Sequence, residues 1–402
     1  MIDLNLIRKD ISAYKKICEA KNKNINIDEV LSLDDKRKEL QGQIDDLKFH
    51  QKEAGKNKDI EKAKSLKTQI QTLEEQYSQT ITNLHTRELK LPNIIHPKTP
   101  IGKSEAENIE AYRKKIPEFD FPTKDHMELM QKHDMIDVER GVKLSARSYF
   151  LKNDGALLEQ AILQYAYKKM ISKFTPMMAP NIVSTETLEG TYFPGEEDTY
   201  QLERDDKRLI ATAEIPLTGY HAEILDYKEL PKTYVGLSPC YRREAGSYGK
   251  DTAGLYRVHQ FSKVEQVIIL PADIELSNQR HEKILTNATE LLDELGIPYR
   301  KLDLCTGDMS IKYRTHDLEC RMPSRNNYGE THSASSFLDF QARRLKIRYR
   351  DQDQIKFVYT LNNTVVATPR ILIAVIENNQ TADGKIKIPK ILQAYMGKEI
   401  IG

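Results

Sequence analysis

From about residue 30 to residue 90, apolar residues recur at spacings of three, four and once seven on an otherwise polar chain. Leu33, Leu40, Ile44 and Leu47 form one such series, and Ala63, Leu66, Ile70, Leu73, Tyr77, Ile81 and Leu84 form a second. Stripes this narrow predict two helices packed as a coiled coil. Between them, Ala54–Lys58 supplies a glycine breaker and turn residues, so the two helices run antiparallel as a hairpin. At 1.5 Å per residue each leg would be roughly 35–45 Å long. Such a stripe cannot anchor a broad core, and the pair reads as a projecting arm.

The pattern changes after Leu91-Pro92-Asn93, which ends the second helix, and after the linker Pro97-Lys98-Thr99-Pro100. Residues 1–98 therefore read as a helical domain and 99–402 as a second domain. In the latter, β-rich runs (Lys232–Tyr241, Tyr256–Leu270, Leu345–Tyr349) alternate with helical ones (Ala156–Ile171, Ile274–Leu295). There is no strict βαβ repeat and no G-x-G-x-x-G or G-x-x-x-x-G-K-[ST]. These features predict an α+β class, with an antiparallel sheet flanked by helices.

Composition narrows the partners. Lys+Arg number 61 against 60 for Asp+Glu, so a general basic coat for nucleic acid is absent and any such binding must come from local patches. One local excess lies at the arm's tip, where seven lysines between Lys48 and Lys67 face Glu53, Asp59 and Glu61. A charge there of about +4 could track phosphates, although a solvated coiled-coil face rich in lysine reads the same way. No apolar run approaches the ~18 residues of a membrane span, and the start, MIDLNLIRKDISAYKK, has no apolar segment of a secretory signal. Cys18, Cys240, Cys305 and Cys320 are scattered, which predicts a reducing cytoplasm and neither a disulfide framework nor a zinc site. His259 and His332 find no third ligand at suitable spacing.

The densest chemistry lies in Tyr241–Phe261. An Arg-x-Glu pair is followed by a loop with Gly246, Gly249 and Gly254, then by Arg-x-x-x-Phe. A nucleotide site on two antiparallel strands needs such groups: a cation for the α-phosphate, a carboxylate for the adenine amino group, an aromatic ring over the base. If Tyr256–Leu270 is one strand, Arg257, His259, Phe261, Lys263 and Glu265 share a face, with Val258, Val264 and Ile268 on the other. Charges gathered this way are expensive to bury without a ligand or partners. A salt-bridged exposed sheet face is the plain alternative.

This stretch resembles motif 2 of the class II aminoacyl-tRNA synthetases, and its flanks narrow the likeness to the seryl-tRNA synthetase family, bacterial type. Asp125–Leu129, Asp137–Gly141 and Tyr149–Lys152 are similar to the start of that family's catalytic domain. Phe174–Val183, with Pro180, is similar to motif 1, the family's dimer-forming element. Thr212-Ala213-Glu214 resembles its serine loop, Phe340–Arg344 the strand before motif 3, and Thr360-Leu361-Asn362 with Arg370 motif 3 itself. Ile388–Lys390 and Tyr395–Gly397 are also similar, and the arm matches the tRNA-binding domain.

The resemblance implies ATP-dependent ligation of L-serine to tRNA(Ser) through a seryl-adenylate, releasing AMP and pyrophosphate. It implies Arg242 on the α-phosphate and the serine carboxylate, with Arg370 as the second catalytic arginine. Arg243, Glu244, Arg257, Phe261, Glu330, Thr331, His332 and Ser333 would complete the ATP site. Thr212, Ala213, Glu214, Arg242, Glu265, Asn362 and Thr364 would hold serine. Glu330 and Ser333 would also hold Mg2+, with no structural metal. A homodimer in the cytoplasm is implied, and tRNA(Sec) stays open as a further acceptor. Other readings are a paralogue activating a small amino acid for a non-tRNA acceptor, and a non-catalytic tRNA-binding scaffold.

Three positions depart from the family pattern. Thr364 stands where serine is usual, and Ala334 and Ser336 replace a cysteine and an asparagine. Thr368-Pro369 offers an N-cap hydroxyl and a first-turn proline for a helix carrying Arg370. Ile371–Ile376 reads as a strand on propensity, but the resemblance implies a helix.

Overall fold

The computed structural model describes residues 1–191, 198–245 and 254–402. The chain forms two compact units, Met1–Ile94 and Ile95–Gly402.

The first unit holds four helices, α1 (Leu4–Lys9), α2 (Ile11–Ala20), α3 (Ile27–Lys56) and α4 (Ile60–Glu88). The last two form the expected hairpin, each about 45 Å long at 1.5 Å per residue. Their base is closed by a cluster of Ile7, Tyr14, Cys18, Ile27, Val30, Leu31, Leu84 and Leu91. The helix runs through Gly55, so the turn is only Asn57–Asp59. Lys58 takes a left-handed φ of 58°, and the Asp59 side chain caps α4 by accepting from the Lys62 amide at 3.0 Å. The stripe on α4 also differs from the expected one. Ile81 is exposed and Thr80 is buried in its place. The Thr80 hydroxyl donates back to the Gln76 carbonyl at 2.8 Å, which leaves its methyl free to pack at the seam. With Thr80 the spacing Leu73, Tyr77, Thr80, Leu84 becomes four, three, four.

The second unit is built on an eight-stranded sheet. Its strands are β1 (Ile109–Arg113), β2 (Thr175–Met177), β3 (Lys232–Tyr241), β4 (Gln260–Leu270), β5 (Tyr299–Asp303), β6 (Arg314–Met322), β7 (Asn327–Leu338) and β8 (Tyr359–Ala367). They lie in the order β1-β5-β6-β7-β8-β4-β3-β2, antiparallel except for the parallel pair β2–β3. Helices α5 (Asn153–Met170), α7 (Ile274–Glu294) and α9 (Arg370–Asn378) cover one face, and the short helix α6 (Glu214–Gly219) lies between α5 and α7 in sequence. Leu158 and Ile162 of α5, Ile284, Leu291 and Leu292 of α7, and Ile371–Ile376 of α9 pack there on Val264, Ile268, Leu318, Leu361 and Val365. Burial of an entirely apolar run thus overrides the β-propensity of Ile371–Ile376.

On the other face, α6 and α8 (Phe340–Leu345) cover Val267 and Ile269, with Ala213, Leu217, Ala342 and Leu345 in one cluster. Gly236 of β3 allows this close approach, since a Cβ there would sit 3.0 Å from Leu217 and 3.3 Å from Ala213. Three local expectations are corrected. Phe340–Arg344 is a turn of helix rather than strand. Leu345 ends that helix, and the strand follows at Arg348–Asp351. Strand β4 starts at Gln260 rather than Tyr256.

Candidate active site

Between α6 and the uncovered end of the sheet lies a cavity of about 680 Å³, lined mostly by polar side chains. This is within the usual range for a small-molecule site. A narrower recess of about 60 Å³ shares Arg242, Lys263, Glu330, Ser333, Thr364 and Arg370 with it and adds Glu244, Phe261 and Thr331. The period of two places these groups. Lys263 and Glu265 of β4, Glu330 (after which the phase shifts) and Ser333 of β7, and Asn362 and Thr364 of β8 face the cavity, while their neighbours Val264, Ala334 and Val365 enter the core.

At one end the groups are cationic and aromatic. The Arg242 guanidinium lies 5.2 Å from the centre of the Phe261 ring, and its Nε donates to the Ala211 carbonyl at 3.4 Å. The backbone around it is pinned: the Arg242 amide donates to the His259 carbonyl at 2.9 Å, and His259 Nδ1 donates to the Arg242 carbonyl at 3.0 Å. Glu244 sits at φ 52°, a costly conformation for a side chain of this size. It is held there by Arg257, whose Nη1 is 3.1 Å from its carboxylate, and by Arg147, which donates to its carbonyl at 3.1 Å.

Arg370 begins α9. It donates to Glu330 Oε2 at 3.0 Å and to the Glu330 carbonyl at 3.1 Å, and it stacks 4.5 Å from the Tyr256 ring centre. The expected cap is different. Pro369 occupies the N-cap position, and the Thr368 hydroxyl is engaged by Glu159 at 2.5 Å and the Ser262 carbonyl at 3.1 Å. Burial pushes the Glu330 carboxyl up, but Arg370 and Arg242 outweigh it and hold it below the usual range. Across the ladder from Ser333 stands Asp317 of β6, whose acid is pushed up by burial and by Glu330. Its Oδ1 is buried with no hydrogen-bond partner among the described residues. Nothing in the sequence pattern singled out Asp317.

At the other end the groups are acidic. Glu265 forms a buried ion pair with Lys263, and its Oε2 accepts from Thr212 at 3.4 Å and from Thr364 at 3.5 Å. Glu214 accepts from Gln341 at 2.8 Å. Burial, then the Glu265 charge, push its carboxyl up to about 7. The cavity can therefore receive a polyanion at its arginine end and an ammonium group at its glutamate end, with an aromatic recess beside the former.

The structure brings together Arg242, Glu244, Arg257, Phe261, Glu330, Thr331, Ser333 and Arg370, and with them Thr212, Glu214, Glu265, Asn362 and Thr364. Three expected residues do not line the space. Ala213 is in the apolar cluster under α6. Arg243 is absent from both linings; its amide donates to the Asp198 carbonyl at 2.8 Å. The His332 ring is buried, with Nε2 donating to the Val365 carbonyl at 3.0 Å, and burial pulls it down to about 4, so it brings no positive charge to the cavity near neutral pH. Of the unusual residues, Ala334 is in the core and Ser336 bonds Ser277 at 3.1 Å, so only Thr364 touches the cavity. Gly246 and Gly249 lie outside the described residues.

Comparison with known proteins adds to this geometry. A family model of the seryl-tRNA synthetase N-terminal domain matches residues 1–95, and one of the tRNA synthetase class II core domain (G, H, P, S and T) matches 198–379. The chain is 41% identical to the serine–tRNA ligase of Treponema denticola, over all of both chains. It is 39% identical to that of Deinococcus radiodurans, over 100% of this chain and 99% of the other. The crystal structure of seryl-tRNA synthetase from Pyrococcus horikoshii complexed with ATP superposes with a TM-score of 0.91 at 36% identity, covering 100% of this chain and 99% of that one.

Proposed function

This chain belongs to the seryl-tRNA synthetase family, and from that premise we propose that it ligates L-serine to tRNA(Ser) in two steps within the cavity just described. The observation that carries the reading is that Arg242, Glu265, Glu330 and Arg370, scattered over 128 positions of sequence, line one space. In the first step the serine carboxylate attacks the α-phosphorus in line and pyrophosphate leaves. Arg242 bridges that carboxylate and the α-phosphate, while Arg257 and Arg370 take the γ-phosphate. Charge spread over the phosphoryl oxygens is thereby met by fixed cations. Phe261 stacks on adenine and Glu244 accepts from its amino group. In the second step the seryl group passes to the terminal ribose 3′ oxygen of the tRNA, and AMP departs.

Serine is selected at the acidic end. Thr212 and Glu214 receive the ammonium, Glu265 accepts from the hydroxyl, and Asn362 and Thr364 close the wall. Alanine would bring no hydroxyl to the acceptor site that Glu265 keeps beside its Lys263, Thr212 and Thr364 contacts, a large penalty, whereas the extra methyl of threonine is opposed by the Thr364 wall for only about 10–200-fold. Since Glu214 ionises near 7, its charge fades below that pH. The KM for serine at saturating ATP is expected to rise about tenfold from pH 8 to pH 6, a rise lost in Glu214→Gln. A flat profile would count against Glu214 as the ammonium acceptor.

The donors also suit magnesium. Glu330 and Ser333 offer oxygens from one strand, and the orphaned Oδ1 of Asp317 lies opposite Ser333, a hard donor set of the kind this ion takes. Bound there with ATP, it would neutralise phosphoryl charge. Exposed Met178 and Ile182 in the segment resembling motif 1 support pairing of two copies. The hairpin of α3 and α4 is assigned to the tRNA. Among the described residues no helix is long and apolar enough to cross a membrane. Membership of this family supports a cytoplasmic enzyme. The reading is tested by exchange of labelled pyrophosphate into ATP, expected with serine; exchange with another amino acid and not serine would overturn it. Charging assays with tRNA(Ser) and tRNA(Sec) define the acceptors.

A further inference from the structure

Behind the serine end of the cavity runs a buried relay that reaches no ligand itself. The Thr360 hydroxyl of β8 donates to Gln341 Oε1 at 2.6 Å, and Gln341 Nε2 donates to Glu214 Oε1 at 2.8 Å. Gln341 is 0% exposed and Thr360 1%. An amide in isolation can turn either end toward a carboxylate. Here the Glu214 carboxylate, which only accepts, takes the NH₂ end, and the Thr360 hydroxyl secures that orientation by donating to the carbonyl end. Reversal would set two acceptors against each other in a buried space and leave donors unmet.

We propose that Gln341 is a positioning residue for substrate selection: oriented by Thr360, it holds one oxygen of Glu214 and turns the other toward the substrate's α-ammonium group. The inference rests on the serine-ligase reading and deepens it. Its chemistry follows from the surroundings of Glu214. Glu265 and Lys263 from β4 and Lys312 from the segment before β6 act on its charge, and Gln341 from α8 is the group hydrogen-bonded to it. A neutral donor steadies the carboxylate without cancelling it, so its charge stays available to the incoming cation. An arginine or lysine there would neutralise it, and an apolar residue would let the carboxyl rotate and gain a proton more readily.

The test uses the full-length protein and serine-dependent pyrophosphate exchange. Gln341→Leu keeps the volume and removes the donor. We expect the KM for serine to rise about tenfold at pH 7.5, the KM for ATP to stay within twofold, and the acid limb of kcat/KM for serine to move to higher pH. Thr360→Val should give a smaller change of the same kind, about threefold, and Thr360→Ser should restore wild-type values. Thermal melting identifies a variant that has merely lost its fold; if Gln341→Leu does so, Thr360→Val is read in its place. An unmoved acid limb, or equal rises in both KM values, would overturn the role given to Gln341. Failure of the wild type to exchange with serine would instead strike the functional reading beneath it.

Discussion

Arg242→Ala is expected to reduce serine-dependent pyrophosphate exchange on the order of a thousandfold, while leaving the melting temperature within a few degrees of wild type. Arg242 lines both the large cavity and its aromatic recess, lies against Phe261 and donates to the Ala211 carbonyl. It borders the space that must take the α-phosphate on one side and the amino-acid carboxylate on the other. Its loss therefore removes charge stabilisation where the new bond forms, and little packing. Its side chain is only partly buried, so the vacancy opens to solvent rather than becoming an enclosed void. Activity within tenfold of wild type would remove Arg242 from the reaction. Arg242→Lys should remain far below wild type, because a compact ammonium cannot bridge two anions as a planar guanidinium does.

The second large effect separates the two units. Deleting residues 36–83 and joining the ends with a short glycine linker should leave serine-dependent exchange within about threefold of wild type. Aminoacylation of tRNA(Ser) should fall on the order of a hundredfold or more, as lost phosphate contacts would require. These boundaries spare Asp34 and Leu84. Asp34 is buried and keeps its ion pair with Arg8 at 2.8 Å when Arg37 is removed, and Leu84 belongs to the cluster that closes the base. The cavity lies wholly within residues 105–370, so no side chain lining it is removed. Equal loss of both activities would contradict this division of labour. Retention of full charging would show that the lysine-rich tip only solvates a coiled coil.

Much of this was readable in the chain because the signals were periodic and local. Long runs at spacings of three and four gave the hairpin, and alternate residues in Lys263–Ile268 gave the two faces of β4. The errors have physical causes. The apolar stripe runs through Ile81, yet Thr80 takes the seam, because a threonine hydroxyl bonded to the carbonyl four residues back is compatible with burial there. Tyr256–His259 alternates like a strand, but the Tyr256 carbonyl accepts from Arg370 rather than from a neighbouring strand. Thr368 had the chemistry of a cap, and Glu159, far away in sequence, took its hydroxyl instead.

The site was legible where motif order carried it, and only there. Arg-x-Glu and Arg-x-x-x-Phe mark one end, and the T-A-E run marks the other. The Thr360–Gln341–Glu214 relay joins residues 19 and 127 positions apart, which no spacing rule connects. Asp317 likewise gains meaning only once β6 lies beside β7 in register with Ser333. The resemblance implies His332 in the ATP site, between Glu330 and Ser333. A strand reverses its side chains at each step, and that reversal sends the ring to the Val365 carbonyl.

The central claim is that one cavity holds the nucleotide at its arginines and the amino acid at its glutamates. A crystal structure of the protein with a non-hydrolysable seryl-adenylate analogue tests it most directly. The account predicts the adenine on Phe261, the phosphate mimic on Arg242, the ammonium at Glu214 and the hydroxyl at Glu265. An analogue bound outside this cavity, or lying in it with its seryl end against Glu330 and its base against Glu265, would contradict it.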